Sequence, residues 1–111
     1  MSNAPNYLRL YRKRSPLTQS DIAYLLDLPD VSNVSRYEKN QRSPKIEMLL
    51  TYHLLFNVAI QDFFEQDSAL VHKNLIERSE RLLKVLEIYS HDKGNLSRIN
   101  YLKQVINRLT N

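Results

Sequence analysis

Residues Leu17–Tyr37 read LTQSDIAYLLDLPDVSNVSRY. Thr18 followed three residues later by Asp21 has the spacing of a capping box, in which each side chain serves a backbone N–H that the first helical turn leaves unpaired. Ile22, Ala23, Leu25 and Leu26 then recur at the spacing of a helix face. A short helix is expected from about Thr18 to Asp27. Pro29 resists continuation of that helix, and Asp30 can accept from free N–H groups at the start of the next. A second helix is expected from about Val31 to Lys39.

At about 100° per residue, Val34, Tyr37 and Glu38 project to one side of that second helix. Ser32, Ser35, Arg36 and Lys39 project to the other, with Asn33 at the flank. One side can dock while the other stays free. Ser, Asn and Arg are the side chains that read base edges in a major groove, and Arg can donate in bidentate fashion to guanine O6 and N7. A lone exposed arginine is ordinarily a solvated one, so Arg36 takes its meaning from its company. Gln19 opens the preceding helix, where its amide and free backbone N–H groups can hold a phosphate.

Several elements together resemble the lambda-repressor-like, Cro-type (xenobiotic-response-element) family of helix-turn-helix transcriptional regulators. They are Leu17, Thr18 and Gln19, Ala23, the run Ser35, Arg36, Tyr37, Glu38, then Pro44 and the closing Asp62, Phe63, Phe64. The resemblance spans roughly residues 6 to 65. It implies a five-helix domain whose third helix lies in the major groove of double-stranded DNA, usually as a homodimer on a palindromic operator, and commonly represses. It also assigns Val31, Ser32 and Asn33 to groove-facing, base-reading positions beside Ser35 and Arg36. Val31 could touch a thymine methyl or pack inward. Two departures stand out. The connection Asp27, Leu28, Pro29, Asp30 is one residue longer than the common pattern and has no glycine; Asn40 stands where glycine is expected after Glu38. Asparagine tolerates the left-handed conformation better than most residues.

The remainder of the first 65 residues is expected to brace this pair of helices. Tyr7, Leu8, Leu10 and Tyr11 suit the apolar side of a first helix, with Arg9, Arg12 and Lys13 pointing outward. Lys39, Asn40 and Arg42 stand in a polar loop before Pro44, placed to clamp the DNA backbone. Ile46 to Phe56 is so apolar that a largely buried fourth helix is expected, followed by a short fifth ending at Phe63 and Phe64. Gln66, Asp67 and Ser68 suggest a polar break. Two amphipathic segments follow: Ser68 to His91, with Leu75, Leu82, Val85, Leu86 and Tyr89 as a seam, and Leu96 to Thr110, with Ile99, Leu102, Val105, Ile106 and Leu109. Asp92, Lys93, Gly94 and Asn95 separate them. The expected architecture is therefore all-α: residues 1–65 as a DNA-binding domain, and residues 66–111 as a helical hairpin. A seam near the 3.5-residue repeat can join two chains, so Leu75, Leu82, Leu86, Tyr89, Leu102 and Ile106 are the expected dimerisation residues; packing on its own domain is the alternative.

Composition supports this frame and excludes others. A chain of 111 residues holds one main domain and an appendage, and a single glycine with four prolines argues against a turn-rich β architecture. Without cysteine there is no disulfide, thiol nucleophile or Cys-based zinc site. His53, His72 and His91 are too widely spaced for a metal pair, and Gly94 alone makes no phosphate loop. No metal, cofactor or catalytic activity is expected. The first residues lack a signal-peptide core and no stretch suits a membrane span, which fits a soluble cytoplasmic protein. Net charge is +4, but Lys and Arg outnumber Asp and Glu only 8 to 7 over residues 1–65 and 8 to 5 over residues 66–111. Positive residues instead bunch at Arg9, Arg12, Lys13, Arg14 and again at Arg36, Lys39, Arg42, Lys45, a pattern of local phosphate complementarity. The alternative is a protein that works mainly by protein–protein interaction, such as an antitoxin whose C-terminal hairpin holds a partner protein and whose helix-turn-helix is secondary.

Overall fold

The computed structural model describes residues 5–89 and 93–111, and these are all-helical with no strand. Six α-helices occur in order: α1 (Leu8–Lys13), α2 (Gln19–Leu25), α3 (Ser32–Glu38), α4 (Ile46–Phe56), α5 (Glu65–Ile88) and α6 (Lys93–Thr110). A 3-10 turn, Ile60–Phe64, stands where a fifth short helix was expected. The chain divides into two compact units, one ending at Ser68 and the other beginning at Ala69.

Local chemistry accounts for the central pair of helices. Thr18 caps α2 by accepting from the Asp21 N–H, and Asp21 reciprocates by accepting from the Thr18 N–H at 2.8 Å. At its other end, Asp27 adopts the left-handed conformation at φ 56. The Leu28 N–H then reaches back to the Ala23 carbonyl and the Asp27 N–H to that of Tyr24. This is a Schellman closure, which satisfies carbonyls the last turn leaves open. Asp27 thus does what glycine would do in the connection. The remaining residues reach α3, where Asp30 accepts from the Ser32 N–H at 2.9 Å. Helix α3 closes in the same way as α2: Asn40 is left-handed at φ 58, and the Gln41 N–H bonds the Arg36 carbonyl.

The core of the first unit takes Leu8 from α1, Ile22 and Ala23 from α2, Val34 and Tyr37 from α3, Met48 and Tyr52 from α4, and Phe63 from the 3-10 turn. Phe63 meets Tyr11 and Tyr52 edge to face, with centroids 5.5 and 6.2 Å apart, and its carbonyl accepts from the Tyr7 N–H. Asn6 ties the entry to α1 onto α3 by donating to the Tyr37 carbonyl at 2.8 Å.

Three packing expectations are corrected. Arg12 does not point outward; it lies four residues after Leu8 on the same buried face of α1, whereas Leu10 is exposed. Leu25 is exposed rather than part of the docked stripe of α2. Helix α4 is not largely buried: Met48 and Tyr52 enter the core, while Ile46, Leu50, Leu54 and Leu55 remain exposed. A unit this small can cover only one side of a helix at its edge.

The second unit is a hairpin of α5 and α6. Helix α5 runs through Gln66, Asp67 and Ser68 without the expected break, since no glycine or proline interrupts it and Glu65 and Asp67 favour the positive end of the helix dipole. The spacing between the two helices that was assigned to Asp92 and its neighbours, and His91 with it, lies in part outside the described residues. Along α5 the buried or half-buried seam positions are Ile76, Ser79, Leu83 and Leu86; along α6 they are Ile99, Leu102, Val105, Ile106 and Leu109. These close the hairpin on itself. On α6 these are the residues anticipated, but on α5 only Leu86 of the anticipated seam is buried; Leu75, Leu82, Val85 and Tyr89 are exposed, so the α5 seam lies one residue round the helix from the one expected.

Candidate nucleic-acid interface

Helix α3 presents the two faces its spacing implies. Val34, Tyr37 and Glu38 are buried, Ser32, Arg36 and Lys39 are exposed, and Asn33 and Ser35 are half-buried at the edges. Val31, the residue capping the helix start, is half-buried and packs against the core. Of its two anticipated roles, inward packing is the one seen. Asp30 is held below the usual carboxylate range, first by the Ser32 N–H and hydroxyl, and further by the charge of Arg36.

A cleft of about 560 Å³ opens beside this helix. Arg9 and Lys39 bring positive charge to it, Thr18, Gln19 and Ser20 line it from α2, and Ser35 from α3. Its cations can meet an anionic group. On the opposite flank of α3, Arg42 donates from Nη1 to Asn33 Oδ1 at 3.3 Å. A residue expected to read bases and one expected to hold the backbone are therefore in contact. Asn40 takes the left-handed conformation that closes α3, which accounts for it structurally.

Behind the cleft lies a buried polar cluster that sequence reasoning missed. Arg12 donates from Nε to Glu38 Oε2 at 2.7 Å and from Nη2 to Oε1 at 2.9 Å. The Tyr52 hydroxyl donates to Oε2 at 2.6 Å, and Gln19 Nε2 donates to Oε1 at 3.0 Å. Both carboxylate oxygens are thus saturated, and the Glu38 side chain is 0 % exposed. Gln19 is corrected accordingly: its amide nitrogen is committed to Glu38 rather than turned outward to a phosphate. The cluster joins α1, α2, α3 and α4 at one carboxylate, so it fixes the pose of the helix that carries Ser32, Ser35 and Arg36. A signal was present, because a glutamate at 38 shares the buried face of Val34 and an arginine at 12 shares that of Leu8.

Burial by itself would raise the Glu38 pKa, but the hydrogen bonds from Arg12, Tyr52 and Gln19 outweigh it and hold the carboxyl below its ordinary 4.5. Hydrogen bonding to Glu38 holds Arg12 above its usual value. Burial, and then the bond to Glu38, push Tyr52 above its ordinary 10. A depressed acid stabilises the fold above its unfolded pKa and ceases to do so as pH falls through the folded value. Stability should therefore decline below about pH 4.5 and continue to fall beyond it. Tyr52 acts at the other end: its contribution is complete below pH 10 and is lost as pH rises further. Urea midpoints measured across pH 3 to 7 should follow this sign in the native chain, and Glu38→Gln should flatten the acid limb.

The first basic bunch does not act as one surface. Arg12 is internal, Arg14 lies over the Tyr11 ring with 5.2 Å to its centroid, and Arg9 reaches the cleft. His53 Nδ1 lies 2.7 Å from the Val58 carbonyl. Among the described residues, no group of three or more His, Cys, Asp or Glu is arranged to hold a metal ion, and no helix is long and apolar enough to cross a membrane. Comparison with family models, with curated proteins and with solved structures gives no match.

Proposed function

We propose that this chain is a sequence-specific, double-stranded-DNA-binding transcriptional regulator of the cytoplasm, a repressor in the Cro-type manner, acting as a dimer on a palindromic operator. The observation that carries this reading is α3 itself. Its outward Ser32, Ser35, Arg36 and Lys39 are backed by buried Val34, Tyr37 and Glu38, beside a cleft with Arg9 and Lys39 at hand. A helix so mounted can enter a major groove with its polar face toward base edges while flanking cations meet phosphates. Arg36 reads, with Ser32, Asn33 and Ser35 around it. Lys39, Arg42 and Arg9 position, and Arg42 exchanges its bond to Asn33 for a phosphate on docking.

Selection of bound sites from random duplex DNA tests the reading, which predicts enrichment of a palindrome; no enrichment would abandon it. On the selected site, Arg36→Ala should cost about 1 to 3 kcal/mol and relax preference at one base position. Arg42→Ala should instead weaken all sequences alike and shallow the salt slope by about one phosphate's worth. An Arg36→Ala protein with unchanged site preference and affinity would mean that another element reads. A second reading, a protein-interaction factor of the antitoxin kind, draws on the exposed apolar residues of the hairpin.

A further inference from the structure

The hairpin leaves Leu70, Val71, Leu75, Leu82, Val85, Ile88, Tyr89 and, on α6, Tyr101 each between 42 % and 72 % exposed. At about 100° per residue, the α5 members of this set form an arc beside the seam that closes the hairpin, and the two arcs together cover roughly two-thirds of the helix circumference. The neighbouring helix α6 covers only about a third of that. The exposed arc continues across a shallow groove in which Leu82 of α5 meets Tyr101 and Leu102 of α6.

We propose that this face packs against the same face of a second copy, with the two α5 helices antiparallel and the two hairpins completing a four-helix bundle. A second copy fits the register. Val71, Leu75, Arg78, Leu82, Val85 and Tyr89 follow alternating steps of four and three, the spacing of a coiled-coil seam. In an antiparallel pair with its two-fold axis at Glu80, Val71 meets Tyr89 of the other copy, Leu75 meets Val85 and Arg78 meets Leu82. Every position of the seam thus finds a seam position opposite, as an isologous interface requires. The area also suffices. With full side chains of this size offering roughly 150 to 200 Å², the exposed fractions amount to on the order of 800 Å² per copy, the scale of a standard stable interface.

The seam also carries a charge signature. Arg78 lies within it, Arg81 lies at its edge one turn from Glu77 on the flank, and Glu80 and Glu87 point to the opposite side of α5. Pairing brings Arg78 of both copies together without a carboxylate between them, their stems covering apolar surface and their heads reaching for water. Association should therefore tighten as salt rises, the reverse of DNA binding.

This inference specifies the dimer on which the operator reading rests, and sedimentation equilibrium of the full chain tests it. The native chain should dimerise at micromolar concentration, more tightly at about 0.5 M than at 0.1 M salt. Leu82→Arg should be monomeric with its helical circular dichroism intact. Arg78→Leu, which completes the seam, should tighten the dimer about tenfold. A Leu82→Arg chain as dimeric as the native one overturns the proposal, and so does a native monomer that Arg78→Leu leaves monomeric; the latter result points to an acidic amphipathic helix as the occupant. Binding to a single operator half-site separates the two readings. Monomeric Leu82→Arg should keep half-site affinity and lose about 100-fold or more on the palindrome. Loss of half-site binding in all variants with the dimer intact would remove the DNA reading and leave the interface standing.

Discussion

Arg12→Ala should destabilise the first unit by about 3 to 5 kcal/mol, because it strands the Glu38 carboxylate in the interior without its counter-charge. Glu38 cannot turn to water: its side chain is fully covered, and Tyr52 and Gln19 hold the same oxygens. Against a typical total of about 5 to 15 kcal/mol, such a loss leaves much of the chain unfolded at moderate temperature. Urea titration followed by circular dichroism measures it. The pair is not stabilising merely by being charged, and this yields a sharper result. Arg12→Met, Glu38→Leu and Tyr52→Phe made together remove every strong partner at once and should recover most of the loss. A single Arg12→Ala substitution with a midpoint near the native value would show that Glu38 is solvated or protonated in the native protein. Because the carboxylate belongs to α3, Arg12→Ala should also weaken the proposed DNA binding without touching DNA, and the triple variant should restore part of that affinity.

Phe63→Ala is expected to cost about 3 to 5 kcal/mol. The ring is fully buried and makes edge-to-face contacts with Tyr11 of α1 and Tyr52 of α4. Removing it opens a void where three elements meet, and aromatic pairing beyond simple burial is lost with it. Tyr52 also donates to Glu38, so its displacement would disturb the polar cluster. A double-mutant cycle of Phe63→Ala with Tyr52→Phe should therefore show coupling of about 0.5 kcal/mol or more. Strict additivity would indicate that the aromatic contacts and the cluster stabilise the fold separately. Phe64, its half-buried neighbour, should be far more tolerant.

Much of α2 and α3 was legible before any tertiary contact was considered. The Thr18–Asp21 capping box, the Asp30 bond to Ser32 and the left-handed Asn40 are contacts between near neighbours, so residue type and spacing suffice to anticipate them. Asp27 was legible only as a missing glycine; its positive φ shows how the longer connection closes α2 without one. The errors share a different cause. Helix α4 offers apolar residues around much of its circumference, and composition cannot decide that Met48 and Tyr52 are covered while Ile46, Leu50 and Leu54 are not. In α5, an apolar arc wider than one partner admits two registers, and the choice of Ile76 and Leu83 over Leu75 and Leu82 depends on where α6 lies. Leu86, Leu102 and Ile106 are consequently committed wholly or partly within one hairpin, leaving Leu75, Leu82 and Tyr89 as the anticipated seam residues available to a second copy.

Sequence by itself determined the helical class, the ends of α2 and α3, and which face of α3 turns outward, because these follow from backbone capping and a 3.6-residue period acting over a few residues. Tertiary structure alone decided that Arg12 is internal, that Gln19 serves Glu38, and which of two seams closes the hairpin. Those outcomes depend on groups far apart in the chain meeting in one place. A buried charge becomes tolerable only when another segment delivers its partner, and Glu38 receives donors from α1, α2 and α4.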